Sequence, residues 1–165
     1  MKKTIIFGSI ALLLFCGMMS TLLFFLVFSN TDRILNTYQM DGASMEPTYS
    51  DGDTFTIETE FVSIQRGDVV VIDRNGVSYV KRVIGLPGEK LELLNDKVYI
   101  DDSLLSEPYL EPDTITVPAP GEPITFQLSS NQYFVMGDNR IISLDSRHSN
   151  FGLIAIEEIA GVVRN

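Results

Sequence analysis

Ser44 follows Gly42 and Ala43 and leads into Met45-Glu46-Pro47-Thr48. Small residues ahead of a serine let the backbone come close to a ligand, and a tight turn can aim the hydroxyl and its own N–H at one point. That is what a nucleophile beside an oxyanion hole requires. Such turns are also common where no chemistry occurs, so Ser44 needs a base to be more than a turn residue. The usual partner is histidine. The only histidine is His148, within Arg147-His148-Ser149-Asn150, where nothing in the sequence buries or orients it. It reads as a solvated loop residue. One histidine, and a single cysteine placed in the apolar N-terminal stretch, leave metal-assisted hydrolysis without ligands.

That leaves lysine. Alternation along Val77-Ser78-Tyr79-Val80-Lys81-Arg82-Val83-Ile84 puts Lys81 on the face of Val77, Tyr79 and Val83. An unperturbed lysine titrates near pH 10.4, so fewer than about one in a thousand is neutral at pH 7. Burial disfavours the ammonium, lowers the pKa and makes the amine a usable base. Val80 and Ile84 occupy the other face, so alternation leaves open a lysine at a sheet edge with its amine in water. A lysine base needs no carboxylate to fix a tautomer, and a nearby carboxylate would favour the charged form. A neutral hydroxyl is the better orienting group.

These residues keep ordered company. Ser44-Met45-Glu46-Pro47-Thr48 is followed by Arg66-Gly67-Asp68-Val69-Val70 and then by Tyr79-Val80-Lys81-Arg82-Val83-Ile84-Gly85-Leu86-Pro87-Gly88. Last come Gly137-Asp138-Asn139-Arg140, Ser143, Asp145-Ser146-Arg147 and Phe151-Gly152. The set spans Asp41 to Gly152 and resembles the sequence boxes of the type I signal peptidases, particularly the short bacterial members with an uncleaved N-terminal anchor. The resemblance implies Ser44 as nucleophile, Lys81 as general base, and Ser143 hydrogen-bonded to the Lys81 amine to orient it. It implies an oxyanion hole built on the Ser44 N–H. Some relatives add a donor from a serine two residues before the nucleophile; here that residue is Gly42, and the second donor stays open. Asp145 with Arg147 or Arg140 would form an ionic scaffold behind the site, and Asp138 and Asn139 the turn that carries it. The implied reaction cuts one peptide bond of an exported preprotein through an acyl-enzyme, after a small residue in an Ala-x-Ala-like context, with no cofactor. Met45, apolar and adaptable, suits a shallow pocket for such side chains.

The elements that must position these residues read as all-β. Short β-prone runs are predicted at 54–57, 68–72, 77–84, 90–94, 97–100, 114–117, 124–128, 132–136, 152–156 and 161–163, punctuated by Gly, Pro, Asn and Asp. Asn75-Gly76 marks a hairpin between two of them, and Asn95-Asp96 marks another. Pro108, Pro112, Pro118, Pro120 and Pro123 make the stretch from Ser106 to Pro123 a surface excursion. Only Ile156 to Ala160 suggests a helical turn.

Ahead of this body, Thr4 to Phe28 carries no charge. As a helix it would reach roughly 37 Å, enough to cross a hydrocarbon core of about 30 Å. It exceeds the h-region of a cleaved leader, and Leu26-Val27-Phe28-Ser29-Asn30 offers no small-x-small cleavage site. The reading is residues 1–33 as cytoplasmic tip, transmembrane helix and linker, and 34–165 as an extracytoplasmic catalytic domain. Lys2 and Lys3 before the span favour a cytoplasmic N-terminus. Cys16 lies inside the span, which excludes an internal disulfide and reads as a passive lipid-facing residue.

Two of the 12 cationic residues precede the span and all 22 acidic ones follow it, so the body is more acidic than the chain's net −10. It repels nucleic acid and anionic lipid, and contact with the bilayer must be apolar. A self-cleaving Ser/Lys regulator on a related fold would carry a DNA-binding module, which a membrane span on an acidic body contradicts. A catalytically silent assembly factor for exported subunits is the alternative from another class. It would be expected to have lost the nucleophile or the base, and both are intact.

Overall fold

A computed structural model describes residues 35–118, 120–122 and 124–164. They lie in one compact unit, Ile34–Asn165. The expected span and linker lie outside the described residues, among which no helix is long and apolar enough to cross a membrane.

The body is all-β: eleven strands and one 3-10 turn, η1 (Ile156–Glu158). The strands are β1 (Leu35–Gln39), β2 (Thr54–Glu58), β3 (Val69–Arg74), β4 (Val77–Gly85), β5 (Lys90–Leu94), β6 (Lys97–Ile100), β7 (Ser103–Leu104), β8 (Thr125–Gln127), β9 (Gln132–Met136), β10 (Ile154–Ala155) and β11 (Ile159–Arg164). Seven form an antiparallel sheet in the order β1-β2-β11-β3-β4-β9-β10, and four form a smaller sheet, β7-β6-β5-β8.

Turn chemistry sets the registers. Asn75 and Gly76 both have positive φ, 55° and 77°, in the two-residue loop that pairs Arg74 with Val77. Positive φ at both central positions matches the right-handed twist of the flanking strands. Asn95-Asp96 joins β5 to β6 in the same way. Asp101-Asp102 repeats the geometry and adds β7, a strand not predicted from the sequence because its pairing covers only Ser103 and Leu104. β1 was also unpredicted. Its sequence, Leu-Asn-Thr-Tyr-Gln, lacks an apolar alternation, and it is a strand because β2 pairs with it along its whole length.

The predicted run at 114–117 is corrected: no strand forms there. Thr116 is buried and its hydroxyl accepts a hydrogen bond from Arg140, so the segment is tied down by a side chain instead of a ladder.

Three apolar clusters hold the sheets. One gathers Val70, Ile72, Val83, Val135, Ile154 and Val162. A second holds Met40, Met45, Tyr49, Phe55, Ile57 and Val71. The third, around Ile84, Leu91, Phe134 and Met136, joins the central strands β4 and β9 to the small sheet. Strand β4 therefore contributes to the first and third clusters at consecutive residues, Val83 and Ile84, and Lys81 is the first residue of its buried end.

Candidate active site

Ser44 stands in the connection between β1 and β2. That loop is closed at its base by Met40 N–H donating to the Asp53 carbonyl at 2.7 Å and Gly52 N–H to the Met40 carbonyl at 2.9 Å. A turn across Ala43–Glu46 then sends Met45 inward, where it is 0% exposed, and leaves Ser44 half-buried. Met45 is thus the loop's anchor among Met40, Tyr49 and Phe55, which corrects the expectation that it lines a shallow pocket. Gly42 adopts a left-handed φ of 83° and its N–H donates to Asp51 Oδ1 at 2.8 Å. The amide two residues before Ser44 is therefore occupied, and it does not supply the missing second oxyanion donor.

Register sets Lys81 opposite Val70, and the amine is folded into the protein with the residue only 3% exposed. Its Nζ donates to Ser44 Oγ at 2.9 Å and to the Val80 carbonyl at 2.8 Å. Burial lowers its pKa from 10.5 to about 8, against the opposing pull of the Asp145 and Asp138 carboxylates. Both carboxylates are already engaged. Arg147 grips Asp145 through Nε at 2.8 Å and Nη2 at 2.9 Å, and Arg82 grips Asp138 through Nε at 2.8 Å and Nη2 at 2.5 Å. The guanidinium charges offset the carboxylates, so desolvation dominates at the amine. Burial alone would raise the Asp145 pKa, but Arg147 and the Gly137 N–H outweigh it and hold the carboxyl below its usual range.

Ser143 is buried beside this group, with a different partner from the expected one. Its Oγ accepts the Gly137 N–H at 3.1 Å, whereas Lys81 Nζ donates to Ser44 Oγ and the Val80 carbonyl. Asn139 links the two serines through its backbone: its N–H donates to the Ser44 carbonyl and its carbonyl accepts from Ser143 N–H, both at 3.1 Å. Gly137 is packed so closely that an added Cβ would overlap Ser143 Oγ and the Ser44 carbonyl oxygen.

Ser143→Ala removes one acceptor of the Gly137 N–H and leaves the Asp145 acceptor in place. The expected outcome is cleavage slowed by about 10 to 100-fold, because the Gly137 peptide packed on the Ser44 carbonyl is then held by one acceptor instead of two. Single-turnover kinetics check it, and an unchanged rate constant would mark Ser143 as structural only.

The arrangement can be set beside known proteins. The profile of the family described as signal peptidase, peptidase S26, matches residues 10–165. The chain belongs to that family. Over 138 residues it is 40% identical to signal peptidase I of Bacillus amyloliquefaciens, covering 78% of this chain and 71% of that one. It is 36% identical over 145 residues to signal peptidase I U of Bacillus subtilis, covering 82% and 77%. Among solved structures it matches a signal peptidase I from Enterococcus faecalis with a TM-score of 0.53 at 32% identity, over 64% of this chain and all of that one. It is accordingly a serine protease of the signal peptidase I type, and the silent assembly factor is not favoured.

Within this signal peptidase, some buried groups were not singled out from the sequence. Arg82 is 8% exposed, bonds Asp138 and stacks over the Tyr109 ring at 4.1 Å. A charged residue midway along an apolar strand needs a partner, and that was the available signal. Thr48 donates to the same Asp138 carboxylate. The Arg147-or-Arg140 alternative resolves to Arg147 for Asp145, because Arg140 pairs with Glu107. His148 is half-buried and its Nδ1 is buried without a hydrogen-bond partner, which corrects the solvated reading; its backbone N–H donates to the Asp145 carbonyl at 2.9 Å.

Proposed function

We propose that this signal peptidase removes N-terminal signal peptides from exported preproteins with a Ser44/Lys81 dyad, on a body anchored to the membrane by residues 1–33. The observation that carries the dyad is the 2.9 Å contact between a desolvated Lys81 amine and Ser44 Oγ. A neutral amine accepts the Ser44 proton along that contact as Oγ attacks the scissile carbonyl carbon. The carbonyl oxygen, now an anion, faces the Ser44 N–H. The tetrahedral centre collapses, the C–N bond breaks and the leaving amine takes the proton back from Lys81, giving an acyl-enzyme. Lys81 then takes a proton from water, whose oxygen attacks the ester, and returns a proton to Ser44 Oγ as the signal peptide leaves.

The membrane reading has its own support in the body. Ile141, Ile142 and Leu144 are exposed, Ile141 by 89%, on the segment that turns Ser143 inward. Ile115 and Val117 are also exposed, and Ile115, Val117, Ile141 and Ile142 line one cleft of about 330 Å³ with Ser143. An apolar rim next to the site suits a bilayer surface that an acidic body cannot approach by charge. Substrates held in the bilayer by their own apolar segment then meet the site at raised effective concentration.

The test is to incubate the full chain, in detergent or vesicles, with a set of preproteins and to sequence the new N-termini. Cleavage after a small residue with a second small residue two positions earlier is expected. Cuts scattered without that pattern would overturn the substrate assignment.

A further inference from the structure

The excursion from Ser106 to Pro123 has few core side chains, yet it carries a buried acid that reaches into the structure under the site. We propose that Glu107 is a positioning residue of this peptidase, fixing the Gly137 peptide, and through it Ser44, by way of Arg140. The inference rests on the Ser44/Lys81 reading above.

Arg140 is fully buried as a side chain and Glu107 is 9% exposed. Glu107 Oε1 accepts Arg140 Nη2 at 2.5 Å, Oε2 accepts Nη1 at 3.4 Å, and the Tyr109 hydroxyl donates to Oε1 at 2.8 Å. The remaining donors of Arg140 go to neutral oxygens: Nη1 to Thr116 Oγ1 at 2.5 Å and Nε to the Gly137 carbonyl at 3.0 Å. Glu107 is thus the anionic partner in the ion pair of a guanidinium that has no access to water, and a buried charge without a counterion is strongly disfavoured. Its removal forces Arg140 to seek water or another acceptor, and the bond to Gly137 is the one at risk.

The Gly137 peptide is where such a shift would be felt. Its N–H donates to Ser143 Oγ and to Asp145 Oδ2, each at 3.1 Å, and its Cα lies against Ser143 Oγ and the Ser44 carbonyl with no room for a methyl group. One residue pair on, Asn139 N–H holds that same Ser44 carbonyl. A small rotation of this peptide moves the nucleophile relative to Lys81, and displacements on the order of 1 Å lower rates about 100-fold. The excursion is tied to the same turn a second time, by Arg147 Nη1 donating to the Val117 carbonyl at 3.2 Å.

The experiment compares the full chain in detergent with its Glu107→Gln variant, reading kcat and KM on a preprotein and the Gly137 amide resonance by NMR. Gln keeps the shape and the acceptor for Tyr109 but removes the charge. Expected are a kcat lower by about 10 to 100-fold, a KM within about threefold of the parent, and a shifted Gly137 amide. Because an unpaired Arg140 can prevent folding, the Arg140→Gln variant and the double variant Glu107→Gln/Arg140→Gln are measured in parallel. The double variant buries no unpaired charge, and it should be no slower than Arg140→Gln alone, since Glu107 acts through Arg140. A parent-like kcat in Glu107→Gln, an unmoved Gly137 resonance, or a further loss in the double variant would overturn the proposal. Ser44→Ala, run alongside, separates the two claims: activity persisting there sinks the dyad, whereas a dead Ser44→Ala with a normal Glu107→Gln sinks only the positioning role.

Discussion

Ser44→Ala leaves a folded protein that no longer processes preproteins. The substitution removes one half-buried hydroxyl at a loop whose position is held by other groups: Met45 in the core, Asp51 on the Gly42 amide and Asn139 on the Ser44 carbonyl. Stability should therefore change by no more than about 1 kcal/mol. Cleavage should fall by more than about 10⁴-fold, because the acyl-enzyme cannot form and only the oxyanion donor and substrate binding remain. Single-turnover assays with a preprotein, together with a thermal melt, read both effects. A variant cutting at the parent rate would move the nucleophile elsewhere.

Lys81→Met should be equally inactive and, at neutral pH, more stable than the parent. The sign follows from burial. With a folded pKa of about 8 against 10.5 when exposed, the folded protein gives up the Lys81 proton at a pH where the unfolded chain still holds it. Between those values the unfolded state binds more protons, so stability rises with pH across the window. Below pH 8 the whole penalty for a charged buried amine is present, on the order of 3 kcal/mol as an upper bound. Methionine is uncharged and of similar length, so the variant escapes the penalty at pH 7 and loses its advantage by pH 10.5. Unfolding the parent and variant at both pH values isolates this term as a difference of differences. Equal stability at pH 7 would mean that the amine is not desolvated in the fold. Lys81 illustrates a group whose placement opposes stability, the arrangement expected where function and not packing decides the residue.

The sequence showed the strands well where turn chemistry was explicit. Asn75-Gly76 set the β3–β4 hairpin, and with it the register that places Lys81 opposite Val70. It showed them poorly where tertiary pairing alone makes the strand, as at Leu35–Gln39, or where a proline-rich segment is held by arginines, as at 114–117. Alternation indicated which face Lys81 shares but left its burial open, because Val80 and Ile84 made the other face equally apolar. Only the folded chain shows the amine turned toward Ser44 at 2.9 Å. The ordered boxes grouped Ser143, Asp145 and Arg147 correctly as neighbours and offered the Asp145–Arg147 pair as one of two alternatives, but did not indicate that Ser143 Oγ accepts the Gly137 N–H. Glu107 and Arg140 are 33 residues apart, and no local pattern announces the pair.

The central claim is that Lys81 works as a neutral amine, and the pH dependence of the chemical step tests it most directly. Single-turnover cleavage of a preprotein by the full chain is followed from pH 6 to 10.5 for the parent and for Lys81→Arg. Protonated Lys81 cannot take the Ser44 proton, so the parent rate should climb tenfold per pH unit at the acid end and level off through an inflection near pH 8. Lys81→Arg should be inactive throughout, because a guanidinium stays protonated across this range. A parent rate still rising log-linearly at pH 10, or an arginine variant with near-normal activity, would contradict the account.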